Sequence, residues 1–134
     1  MEPDRETTTI LVVDDDDVVR DVIERGLDGT GLQILTAASA SEALAAAADA
    51  RIDLLVADLS LREMSGPALA AKLQVENPVL RVLYVSGWPD LDAFPEVTEG
   101  QLLTKPFTFE ELRQAVARAL GSDPGVAPRR AGLL

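Results

Sequence analysis

The run Ile10-Leu11-Val12-Val13-Asp14-Asp15-Asp16-Asp17 changes character in one step, from four aliphatic residues to four carboxylates. A continuous apolar run rich in β-branched residues predicts a strand buried on both faces. A strand of that kind needs helices packed above and below it. The acidic residues mark the end at which it leaves the core. Beyond them Val19, Val22, Ile23 and Leu27 recur at helical spacing until Gly29-Thr30-Gly31 breaks the pattern.

The same alternation continues along the chain. Residues 32–37 read as a second strand, and Ser39 with Glu42 forms a capping box for an Ala-rich helix reaching about Ala50. Residues 54–57 make a third apolar strand ending in Asp58. Gly66-Pro67 then opens a helix with proline at its first position, and Asn77-Pro78 stops it after about Val75. Residues 81–85 form a fourth strand, ending at Ser86-Gly87. Residues 91–98 have helical potential, but Pro95 interrupts them. Residues 102–104 make a short fifth strand before Lys105-Pro106. Thr108 and Glu111 supply a second capping box, Leu112, Val116 and Leu120 an apolar helix face, and Gly121 a C-terminal cap.

Strands separated by helices over this length predict one α/β domain, a parallel sheet with helices on both faces. The expected organisation is a flexible segment at 1–8, a folded domain at 9–121 and a mobile tail at 122–134.

Composition narrows the chemistry. The 134 residues include 47% hydrophobic but only 4% aromatic residues, so the core must be aliphatic. A net charge of -11 repels phosphate backbones and argues against nucleic-acid or anionic-membrane partners. There is no Cys and no His. Disulfides, thiolate catalysis, a phosphohistidine and a Ser-His-Asp triad are therefore excluded. A bound metal would have to sit among oxygen ligands, which suits Mg²⁺ or Ca²⁺. No apolar run is long enough to span a membrane and residues 1–9 are too polar for a signal peptide, so the expected compartment is the cytoplasm.

The unusual polar residues fall at strand ends: Asp14 and Asp15 after the first, Asp58 after the third, Ser86 after the fourth and Lys105 after the fifth. In an open parallel sheet these ends share one edge, and ligands bind there where the strand order reverses. Three carboxylates gathered at such a crevice repel one another unless a cation neutralises them. A divalent ion and a lysine are the available solutions.

Each residue also has an ordinary reading. Asp16 and Asp17 fit helix-capping charges, Asp14 and Asp15 alone fit a solvated turn equally well, and Asp53 fits a loop cap. Ser-Gly makes turns and lysine is usually solvated. An EF-hand fails, because its glycine position would be Val19 and its last acidic position Arg25. The joint placement at one sheet edge favours the site.

From about Thr9 to Leu120 the chain resembles the receiver domains of two-component response regulators. The segments that carry the likeness are Ile10-Leu11-Val12-Val13-Asp14-Asp15-Asp16, Asp53-Leu54-Leu55-Val56-Ala57-Asp58, Met64-Ser65-Gly66, Val82-Leu83-Tyr84-Val85-Ser86-Gly87 and Lys105-Pro106-Phe107. Within the family, Ser86-Gly87-Trp88 paired with Thr104-Lys105-Pro106-Phe107 looks most like receivers attached to hybrid sensor kinases.

The resemblance implies a flavodoxin-like, doubly wound five-stranded sheet of order 2-1-3-4-5. It implies that Asp58 accepts a phosphoryl group from a histidine kinase or histidine phosphotransfer protein. Asp15, Asp58 and the backbone carbonyl of Ser60 would ligate Mg²⁺, with Asp14 holding a coordinated water. Ser86 would donate to the phosphoryl oxygen, and Lys105 would pair with the carboxylate and then with the phosphoryl group across a cis bond to Pro106. Such a protein is a switch rather than an enzyme, catalysing only its own phosphoryl transfer and slow dephosphorylation before altering its affinity for a downstream protein.

Three departures stand out. Arg62 occupies a place usually held by proline, four residues after the acceptor. Leu102 replaces the usual Tyr or Phe, and the stretch from Ser86 to Lys105 is shorter by roughly one helical turn. The helix between the fourth and fifth strands is therefore expected to be short or irregular. Trp88 is expected near the pocket mouth, where it would restrict attacking water or simply cover apolar surface. Two other functions fit the residues: a receiver-like docking module that is never phosphorylated, and a phosphatase with Asp58 as nucleophile. Against the phosphatase, Asp58-Leu59-Ser60 lacks a second acid two residues on.

Overall fold

A computed structural model describes residues 7–87 and 91–121. The segments expected to be flexible, 1–8 and 122–134, fall largely or wholly outside these residues, as do Trp88 and Pro89. The elements in chain order are β1 (Thr9–Val13), α1 (Asp17–Gly26), β2 (Gln33–Ala37), α2 (Ala40–Asp49), β3 (Leu54–Asp58), α3 (Gly66–Glu76), β4 (Arg81–Ser86), β5 (Leu102–Thr104) and α4 (Phe109–Ala119). All strand pairings are parallel, in the expected order β2-β1-β3-β4-β5.

The two-residue period of the strands divides their side chains between two cores. Leu11, Val13, Leu55, Ala57, Val82 and Tyr84 face α2 and α3. Ile10, Val12, Leu54, Val56, Leu83 and Val85 face α1 and α4. This is why β1 and β3 read as unbroken apolar runs: neither face meets water.

The helix ends follow side-chain hydrogen bonds. Asp16 caps α1, its carboxylate accepting from the Val18 and Val19 N–H groups. Arg113 closes the other end of α1 by donating from Nε to the Gly26 carbonyl at 2.7 Å. Thr108 and Glu111 form the expected reciprocal box on α4. Two expectations need correction. Ser39 does cap α2, but Glu42 reaches one residue further back, to the Ala38 N–H at 2.9 Å. Pro67 is the second residue of α3, since Ser65 supplies the cap and Gly66 comes first. Asp53 is a loop cap as expected, its Oδ2 accepting from the Thr9 N–H at 2.8 Å.

Between β4 and β5 the described residues form no α-helix. They make two short 3₁₀ turns, Leu91–Ala93 and Glu99–Gln101. Phe94 N–H bonds the Leu91 carbonyl and Val97 N–H bonds the Phe94 carbonyl, at 3.1 and 2.9 Å. Leu91, Phe94 and Val97 thus recur every third residue and all pack on the same core. A three-residue period suits tight turns, and Pro95 would break a regular helix in any case. The expectation of an irregular segment is met.

Candidate functional site

Strand register brings the polar residues together. Val13 lies opposite Ala57, so Asp14 and Asp58 are level at the ends of β1 and β3. Asp58 is opposite Val85 and Ser86 opposite Thr104, which leaves Ser86 and Lys105 at the same edge. The Lys105 N–H donates to the Ser86 carbonyl at 2.9 Å, tying the ends of β4 and β5. The Lys105-Pro106 bond is cis, as expected.

Lys105 is the hub. Its Nζ lies 3.2 Å from Asp58 Oδ2 and 3.6 Å from Asp14 Oδ2. Asp58 Oδ1 accepts from the Ser60 N–H at 2.9 Å, which orients the carboxylate and closes the turn after β3. Asp14 is only 1% exposed. Its Oδ1 accepts from the Asp16 N–H at 2.8 Å, but no described residue hydrogen-bonds its Oδ2. Asp15 has a different partner, Arg62, whose Nε stands 3.5 Å from Asp15 Oδ2. Ser86 is buried at the same edge. Arg62 as a partner of Asp15 is the feature sequence reasoning missed; the only available signal was a cation four residues past the acidic strand end.

Burial disfavours the charge of Lys105, but Asp14 and Asp58 outweigh it and raise its pKa, so the ammonium persists. For Asp14 burial is the largest influence and raises the carboxyl above its ordinary value. Asp58 and Asp15 add to the rise, and the Asp16 N–H and Lys105 only partly offset it. An acid whose folded pKa is raised loses stability as pH climbs from its unfolded value through its folded one. Asp14→Asn is therefore expected to raise the melting temperature by roughly 3–5 °C at pH 7 in metal-free buffer. The gain should shrink toward pH 4. Thermal melts at the two pH values check this, and a lower melting temperature at pH 7 would contradict it.

The donors at this edge are hard oxygens, and an orphaned buried carboxylate oxygen at Asp14 is the kind of atom a cation satisfies. Among the described residues, however, no three acidic side chains form a ready-made metal cage. That is compatible with Mg²⁺, which takes one or two carboxylates and keeps several waters, and not with an all-protein cage.

Residues 10–117 match the family described as response regulator receiver domain. The chain is 36% identical over 114 residues to the DNA-binding transcriptional regulator NtrC of Salmonella typhimurium, covering 83% of this chain and 24% of that protein. It is 31% identical over 114 residues to sporulation initiation phosphotransferase F of Bacillus subtilis, covering 83% of this chain and 92% of that one. It therefore spans about a quarter of the first relative's length and nearly all of the second's. Among solved structures, the signal receiver domain of an HD domain-containing protein from Pseudomonas fluorescens superposes with a TM-score of 0.78 at 28% identity, covering 87% of this chain and 96% of that one. Among the described residues no helix is long and apolar enough to cross a membrane.

Proposed function

This chain belongs to the response regulator receiver family of two-component systems, and from that premise we propose that it is a switch thrown by phosphorylation of Asp58. The observation that carries the proposal is the position of Lys105 Nζ between Asp58 and Asp14, at 3.2 and 3.6 Å. A lysine so placed holds the acceptor carboxylate in one orientation and offers a positive charge where an incoming phosphoryl group would bring negative charge.

In the proposed reaction an Asp58 carboxylate oxygen attacks the phosphorus of a phosphohistidine on a histidine kinase or phosphotransfer protein. The P–O bond to Asp58 forms as the P–N bond breaks, and the imidazole leaves with its electron pair. Asp14, Asp15, Asp58 and the Ser60 carbonyl would hold Mg²⁺. The ion supplies charge neutralisation for the phosphoryl oxygens. Ser60 fixes the acceptor through its N–H. Lys105 then transfers its pairing from the carboxylate to the new phosphoryl group, and Ser86 donates its hydroxyl to a phosphoryl oxygen.

Because Lys105 and Ser86 are joined through the backbone, movement of either reaches β4, β5 and the turns between them. Leu102, opposite Tyr84 and partly buried against the core, lies along that route, so the readout would be a shift in packing of residues 91–102. Tyr84 stays un-ionised there, pushed up to about 12 by burial and then by Glu96.

Incubation with Mg²⁺ and a small acyl phosphate should add one phosphoryl group per chain. The adduct should fail to form in excess EDTA and return with added Mg²⁺. Sustained phosphate release at high turnover would point to a phosphatase instead. Absence of an adduct from both a small donor and a phosphohistidine protein would favour a docking module.

A further inference from the structure

Three carboxylates share two protein cations at this edge. Lys105 serves Asp14 and Asp58, and Arg62 serves Asp15. The Arg62 side chain is 84% exposed, yet the loop presenting it is held at several points. Ser60 and Ser65 form a bridge across it, Leu61 N–H bonds the Met64 carbonyl at 3.2 Å, and Gly66 N–H bonds the Leu59 carbonyl at 2.8 Å. Next to Arg62 in the loop, Glu63 accepts from both the N–H and the hydroxyl of Ser41 on α2, at 2.9 and 2.8 Å. The guanidinium is thus kept beside Asp15 by a braced turn, with only its own side chain free to swing.

We propose that Arg62 is an internal competitor for the divalent cation, pairing with Asp15 until the ion displaces it and so setting the metal concentration at which the pocket becomes ready. The inference rests on the metal-binding reading of the pocket given above. A divalent cation on Asp15 repels a guanidinium 3.5 Å from Asp15 Oδ2, so each weakens the hold of the other. The guanidinium is largely exposed although Asp15 is not, so the pair shifts the equilibrium modestly, by up to about fivefold, and is screened by salt. Its effect is a threshold rather than a block.

The test is a Mg²⁺ titration of the isotope-labelled full chain, followed by NMR. Arg62→Ala should bind Mg²⁺ about two- to fivefold more tightly than wild type at low ionic strength, with the gain shrinking at about 0.5 M salt. Arg51→Ala serves as the control for net charge, since Arg51 pairs with Asp53 at the opposite end of the strands. It should match wild type. In wild type the Arg62 Nε–H resonance, assigned by its loss in Arg62→Ala, should shift with the same midpoint as the pocket amides. Equal affinity in Arg62→Ala and wild type, equal tightening in Arg51→Ala, or an Nε–H signal that does not move through saturation would each overturn the proposal. Failure of wild type itself to bind Mg²⁺ would instead overturn the metal reading beneath it.

Discussion

Gly66→Ala is expected to lower the melting temperature by roughly 10–15 °C, corresponding to about 3 kcal/mol. Gly66 opens α3, and a Cβ built on it runs into the backbone carbonyl of Asp58 and crowds the Tyr84 ring at 3.2 Å. Neither neighbour can yield easily. The Asp58 carbonyl belongs to β3 at the centre of the sheet, and Tyr84 is buried in β4. The Gly66 N–H also bonds the Leu59 carbonyl, so α3 cannot back away without breaking the turn that carries Ser60. Overpacking against rigid backbone belongs at the costly end of its usual range. The same displacement would move Asp58, so the variant should accept phosphoryl groups more slowly even where it remains folded. Thermal melts paired with phosphorylation rates at low temperature check both effects. A melting temperature within about 2 °C of wild type would show that the α3–β3 approach is looser than described.

Much of this arrangement is legible in the sequence because it depends on local pattern. Unbroken apolar runs ending in Asp14 and Asp58 give both the sheet and its functional edge, since burial on two faces and a sudden carboxylate have direct physical meanings. The irregular segment between β4 and β5 follows from Pro95 and from a stretch roughly one helical turn shorter than the family's. Other features arise only when distant segments meet. Glu42 bonding Ala38 in place of Ser39 depends on the exact exit angle of β2. The approach of Gly66 to Asp58 depends on where α3 packs, which the tripeptide Met64-Ser65-Gly66 does not reveal. The Arg62–Asp15 pair joins residues 47 apart through the fold, and a lone exposed arginine carries no local signal of such a partner.

Asp58→Asn is expected to abolish phosphoryl acceptance completely while leaving the fold intact. The amide keeps the shape of the carboxylate, and its oxygen can still accept from the Ser60 N–H. Lys105 keeps Asp14 as a partner, so its ammonium is not stranded. What disappears is the anionic oxygen that would attack phosphorus in the proposed reaction, since a carboxamide is a poor nucleophile. The other carboxylates cannot substitute. Asp14 is buried and paired with Lys105, and Asp15 is paired with Arg62.

The most direct test is intact-mass spectrometry of wild type and Asp58→Asn after incubation with Mg²⁺ and an acyl phosphate, followed by peptide mapping. Wild type should gain one phosphoryl group, mapped to Asp58, and Asp58→Asn should gain none. An adduct of equal yield in Asp58→Asn, or one mapped to any other residue in wild type, would contradict the account.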